Sequence, residues 1–208
     1  MVKSIKYYTY RAIQKNGKGY VFSANDIHLK YPRYAIERSL VDLEKEGKIA
    51  RALPGLYYYP EYNNILKCFA GPNIDAVAKA LAKKHNWTIF PEGNTALNYL
   101  GLSTQVPARY VYISDGLARE YKIGNTILKF LHRVPKQTGV KGKNANLVVQ
   151  SLKSLGKTSA EQEEFIYKLS KCFTKKEWEL IEKATTKIAQ WMQSIIKKAK
   201  EITDETTH

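Results

Sequence analysis

The residues of this chain whose types can carry catalysis are four histidines, two cysteines and a Ser114-Asp115-Gly116 corner, and none stands at a catalytic spacing. His28, His85, His132 and His208 share no metal-ligand interval. The H-E-x-x-H and C-x-x-C patterns and the phosphate-binding P-loop are missing. Ser114 does not lie in the G-x-S-x-G setting of a nucleophile elbow. No Gly-Ser followed by paired aspartates is present to hold the metal ions of a nucleotidyl transfer. Asp115, Arg119 and Lys122 are the remaining candidates for an unconventional site. The expectation is a protein without enzymatic activity, cofactor or metal.

The chemistry that the sequence does favour is recognition of a polyanion. Thirty-four lysines and arginines face 19 acidic residues, a net charge of +15. Residues 1–60 hold 11 basic and 5 acidic side chains, residues 61–157 hold 14 and 5, and residues 158–208 hold 9 of each. The excess therefore lies in the first three quarters and is not a basic tail. Such a field favours nucleic acid first and an anionic membrane surface second. Tyrosine is abundant, with 15 residues, and its hydroxyl bonds phosphate while its ring stacks on bases. Most of these tyrosines also suit half-buried strand and helix positions.

The elements that would position these groups follow from periodicity. Ile5, Tyr8, Ala12 and Ile13 are spaced as a helix that stops at Asn16-Gly17. Val21-Phe22 is a short extended piece, and Ser23 can cap a short helix over about 24–29. Tyr31-Pro32 breaks the chain and opens a third helix over about 33–46. Ile36, Leu40 and Leu43 form its apolar face, with Tyr34, Arg38, Val41 and Lys45 roughly opposite. Gly47 ends it, and two strands, 48–51 and 56–59, flank a Pro54-Gly55 turn. Helix, short helix, longer helix and hairpin is the order of a winged helix-turn-helix, expected over 1–62. In that geometry the longer helix enters a major groove. Arg33, Tyr34, Glu37 and Arg38 would approach base edges, while Lys30, Lys45 and Arg51 complete the DNA-binding set, Lys30 and Arg51 on phosphates.

An α+β region is expected over 63–208. It has a helix over 73–84, strands at 87–90 and 109–114, and a short helix over 94–100. A hairpin turns at Gly124-Asn125, and helices follow over about 144–203. Ser159–Gln162 and Thr174–Glu177 read as capping boxes, the second with Phe173 and Trp178 as its staple. From Trp178 through Ile181, Thr185, Ile188, Met192, Ile195 and Ala199 a heptad stripe suggests one long helix over 175–200. It reads first as packing on its own domain and second as a partner seam. Cys68 and Cys172 read as reduced core thiols, the basic glycine-containing stretch 135–143 as a flexible link, and the N-terminus as lacking a secretory signal. A cytoplasmic location is expected, with no membrane contact.

Three segments are similar to a known family. Gly55-Leu-Tyr-Tyr-Tyr-Pro60 resembles the wing of AbiEi-type antitoxins and the related DUF6088 proteins. The stretch 93–107, GNTALNYLGLSTQVP, resembles that family's central signature. Ser114-Asp115-Gly116, Arg119 and Lys122-Ile123-Gly124-Asn125 continue it, so the likeness covers roughly residues 5–170. It implies a transcriptional autorepressor and antitoxin whose winged helix binds repeats in its own promoter. Its adjoining domain contributes to DNA binding, to neutralising a nucleotidyltransferase-like toxin, or both; the oligomeric state is left open. Asn94, Thr95, Asn98, Ser103, Thr104, Arg119 and Lys122 then become candidates for a partner or second nucleic-acid surface. Read by its residues alone, 93–107 is either a cradle for phosphate or partner backbone, or a structural corner. A protein-docking module and an RNA-binding protein are the alternative functions. The C-terminal segment 178–208 departs from the family pattern.

Overall fold

The computed structural model describes residues 4–105, 107–133, 140 and 142–205. Most of the expected 135–143 link, together with Val106 and His208, lies outside the described residues. The fold is mixed α+β with a helical C-terminal part. The chain divides into two compact units between Asn86 and Trp87. The segment 63–86, expected with the second region, therefore belongs to the first.

In the first unit, helix α1 (Ile5–Gln14) starts at Ser4, whose hydroxyl accepts from the Tyr7 amide at 3.3 Å. Strand β1 (Val21–Phe22) leads to a 3-10 turn at Ala24–Asp26. The expected helix to Leu29 does not continue, because Ile27 is extended and buries its side chain. Helix α2 (Arg33–Lys45) buries Ile36, Ser39, Leu40 and Leu43. Strands β2 (Ala50–Leu53) and β3 (Leu56–Tyr58) join β1 in an antiparallel sheet of order β1-β3-β2. Ile13, Phe22, Ile36, Leu40, Leu43 and Ile49 meet in one core, each side chain contributing about 1.5–3 kcal/mol by leaving water.

Two elements complete this unit. Strands β4 (Tyr62–Asn63) and β5 (Cys68–Phe69) form a hairpin absent from the sequence expectation. Cys68 is exposed there, which corrects its assignment to the core. Helix α3 (Ile74–His85), capped by the Asn73 side chain, packs on β1 through buried Val77, Ala78, Leu81 and Ala82. Lys83 bonds the Asp26 carboxylate at 2.5 Å. Burial opposes ionisation of Asp26, yet the bonds from Lys83 and Ser23 leave its pKa below the usual carboxylate value.

The second unit contains β6 (Ile89–Pro91), β7 (Arg109–Ser114), β8 (Arg119–Ile123) and β9 (Thr126–His132). The Gly124-Asn125 hairpin forms as expected, and β9 inserts between its partner β8 and the parallel strand β7. Helix α4 (Asn94–Tyr99) packs on β7 and on α5 (Lys143–Leu155). Beyond them lie α6 (Lys157–Ala160), α7 (Glu163–Ser170), α8 (Lys175–Ala184) and α9 (Gln190–Glu205).

Two helical expectations change. Ser159 lies inside α6, and α7 starts at Gln162 without a side-chain cap, so the first capping box does not form. The second forms fully, with both Thr174–Glu177 bonds and Phe173 edge-on to Trp178 at 5.4 Å. The long helix over 175–200 is two helices, because the chain breaks between Ala184 and Gln190. At the break, Thr185 turns its hydroxyl back to the Ile181 and Glu182 carbonyls, and Gln193 bonds the Thr186 and Ile188 carbonyls. The stripe folds on itself, and Trp178, Ile181, Met192, Ile195 and Ala199 share one core.

Candidate nucleic-acid interface

Helix α2 presents two unlike faces. Its apolar i, i+4, i+7 positions are buried, so the residues about 100° away from them project outward. Arg33, Tyr34, Glu37, Arg38 and Lys45 are all exposed, as is Lys30 just before the helix. Tyr34 is 74% exposed, far more than a structural tyrosine needs. Glu37 would repel an anion on this face, but its carboxylate accepts from Arg33 Nε at 2.8 Å, one helical turn back. Arg38 and Lys45 form no ion pair among the described residues. No side chain caps the helix at Pro32.

The hairpin differs from expectation in its charge. Arg51 is bonded by Glu44 through two nitrogens, Nε–Oε1 at 3.0 Å and Nη2–Oε2 at 2.6 Å, and lies over the Tyr57 ring at 5.3 Å. This fork raises the Arg51 pKa and ties β2 to α2, so Arg51 would have to leave Glu44 to hold a phosphate. The β2–β3 turn itself holds only Pro54 and Gly55. A cation reaches it from elsewhere, since Lys84 Nζ lies 3.7 Å from the point where a Gly55 Cβ would stand. Lys84 was legible only as a polar position on a helix of unknown packing.

Aromatic groups extend the α2 approach. The rings of Tyr8 on α1 and Tyr31 lie 6.4 Å apart, and both are partly exposed. Sequence spacing places Tyr8 on the apolar side of α1, whereas the buried residues there are Thr9 and Ile13.

The second candidate surface is mostly internal wiring. Thr95 is buried, and its hydroxyl accepts from the Val111 amide at 2.8 Å. Asn98 donates to the Gln105 carbonyl at 3.0 Å, and Ser103 accepts from the Gln105 amide at 3.3 Å. Asn94 accepts from Ser154 at 2.8 Å, whereas Thr104 is exposed and makes no such bond among the described residues. Arg119 and Lys122, three apart on β8, project from opposite faces of the strand. Arg119 lies over the Trp87 ring at 5.8 Å.

The Ser114-Asp115-Gly116 corner is likewise structural. Asp115 accepts from the Thr88 amide at 2.8 Å, and Ser114 is buried and accepts from the Gly116 amide at 3.0 Å. Trp87 packs so closely on Gly116 that a Cβ there would stand 2.2 Å from its ring. No cluster of metal-ligating side chains occurs among the described residues. No helix among them is long and apolar enough to cross a membrane.

Against known proteins, the model of a family of unknown function (DUF6088) matches residues 9–181. The chain belongs to the DUF6088 family. The matched span contains both α2 and the 93–105 corner, so both are within the part that defines this DUF6088 protein, while α9 lies beyond it. No curated protein and no solved structure matches the chain.

Proposed function

We propose that this DUF6088 protein is a sequence-specific DNA-binding regulator that represses its own promoter and acts as the antitoxin of a toxin–antitoxin pair in the cytoplasm. In this reading α1, the 3-10 turn, α2 and the β2–β3 hairpin are a winged helix-turn-helix, with α2 in the major groove. The observation that carries the proposal is the exposed face of α2, where Arg38 and Lys45 have no acidic partner among the described residues and Glu37 is neutralised by Arg33. Lys30 and Lys84 take phosphates in place of Arg51. The antitoxin role rests on the likeness of 55–60 and 93–107 to AbiEi-type antitoxins. The protein acts by binding, without catalysis.

Fluorescence anisotropy on duplex DNA from upstream of the gene, beside a scrambled duplex and across a salt series, tests this reading. Specific readout predicts that its own DNA stays bound at salt concentrations that release the scrambled duplex. Equal and steeply salt-dependent binding to both would leave only a non-specific polycation. Displacement by structured RNA but not by duplex would favour the RNA-binding alternative.

A second reading, docking onto a nucleotidyltransferase-like toxin, is favoured by the β4–β5 hairpin. Tyr62, Ile65, Leu66 and Phe69 are 48%, 91%, 70% and 59% exposed there, an apolar group that folding leaves in water. Pull-down of the neighbouring gene's product by the wild type, and its loss with Ile65→Ser and Leu66→Ser together, is the expected result of that reading.

A further inference from the structure

One cleft of the second unit, about 590 Å³ in volume, has a chemistry that neither the fold nor the DNA-binding face uses. Its floor comes from β7. The period of two along a strand sets Arg109, Val111 and Ile113 on one side, with the cation at the mouth and the aliphatic groups deeper. Its wall comes from α5, where Gln150, Lys153 and Ser154 share a face at i, i+3 and i+4. Arg133 stands at the rim, held to Glu92 by an ion pair of 2.6 Å.

The balance of charge is +2, from Arg109, Arg133 and Lys153 against Glu92. Arg109 and Lys153 are exposed and form no ion pair among the described residues. A second observation points the same way. Gln150 is only 7% exposed and lines the cleft, yet its amide makes no hydrogen bond to any described residue. That amide is open to the cleft rather than sealed in the core, and it offers both a donor and an acceptor to whatever enters.

We propose that this cleft binds a nucleotide. Two unpaired cations suit its phosphate, the Gln150 amide reads the donor–acceptor edge of its base, and Val111 with Ile113 forms an apolar seat for the ring. The volume is within the range of small-molecule sites. This site lies in the second unit, on residues separate from α2, so its fate is independent of DNA binding.

Titration calorimetry on the full chain with AMP, GMP, CMP and UMP separately, with inorganic phosphate, and with a scrambled duplex distinguishes a free nucleotide from a phosphate held in a strand. Saturable binding of at least one nucleotide is expected, weakened about tenfold or more by Gln150→Leu and by Lys153→Ala. Inorganic phosphate should bind more weakly. Absence of saturation with every nucleotide overturns the proposal. So does nucleotide binding that both variants leave unchanged, or phosphate binding as tight as the nucleotide's. Duplex binding that Lys153→Ala abolishes, with no nucleotide bound, overturns it too and makes the cleft part of a nucleic-acid track. Lys153 is exposed on a helix surface, so its variant keeps the test valid if Gln150→Leu does not fold.

Discussion

Helix α2 and the 93–105 corner are both rich in polar residues, and they use them in opposite ways. On the outer face of α2, Tyr34, Arg38 and Lys45 point to solvent, and the one ion pair on that face joins Arg33 to Glu37 among the described residues. In the corner, Thr95, Asn98, Ser103 and Asn94 all bond backbone or side-chain groups of their own unit. Polarity alone therefore does not mark a binding surface. A surface open to a partner needs bonding capacity that folding leaves unused, and of these two regions only α2 retains much of it.

The sharpest test of this contrast is Thr95→Val, which keeps the shape of a buried side chain and strands the Val111 amide without its acceptor. It should cost about 1–3 kcal/mol of stability, read by urea unfolding, and leave DNA affinity of the folded protein unchanged. A fall in affinity with full stability would place the corner in the interface and break the comparison.

Arg38→Ala is the converse experiment. It should lower affinity for the protein's own upstream DNA by about 1–3 kcal/mol if Arg38 bonds a base bidentately, with unfolding altered by less than about 0.5 kcal/mol. Wild-type anisotropy would remove Arg38 from recognition.

A smaller effect is expected of Glu37→Gln. The exposed Arg33–Glu37 pair contributes less than about 1 kcal/mol to stability, so the variant should melt almost as the wild type. Its DNA affinity should rise, because a negative charge leaves the reading face and Arg33 is released. A loss of affinity would mean that Glu37 itself accepts from a base.

The smallest signal comes from the Tyr10–Tyr59 pair behind the hairpin, whose hydroxyls are 3.4 Å apart. The Lys18 ammonium and then the Tyr10 hydroxyl lower the Tyr59 phenol to about 8, while burial and Tyr59 push Tyr10 up to about 12. The sign follows from the ordinary value of 10 for both. Folded Tyr59 releases its proton before the unfolded chain does, so its contribution to stability is absent below pH 8 and grows between pH 8 and 10. Tyr10 reverses this between pH 10 and 12. Absorbance of tyrosinate should show one early phenol, and Lys18→Ala should return it toward the bulk.

Much of the local structure was legible because it depends on neighbours in sequence. The boundaries of α2, the Thr174–Glu177 box and the Gly124-Asn125 hairpin each follow from residues within one or two turns of chain. The same locality explains the misses. Ser159 has the pattern of a cap, but its backbone is inside a helix that Gly156 starts. The stripe from Trp178 to Ala199 has the right period on either side of a break, and a period cannot reveal that Thr185 turns its hydroxyl into the helix end. Of the candidate site, the exposed face of α2 was readable as the complement of Ile36, Leu40 and Leu43.

By itself, then, the sequence determined α2, the Thr174–Glu177 cap, the Gly124-Asn125 hairpin, the cationic balance and the face of α2 that stays in water, because hydrophobic period and turn chemistry act over a few residues. Tertiary structure alone decided that β9 lies between β7 and β8, that Lys84 reaches the hairpin turn, that Arg51 is consumed by Glu44, and that Gln150 meets Arg109 across a cleft. Each of those outcomes is a choice of partner between distant segments. Side chains of one type differ in role only through the partner that folding brings to them.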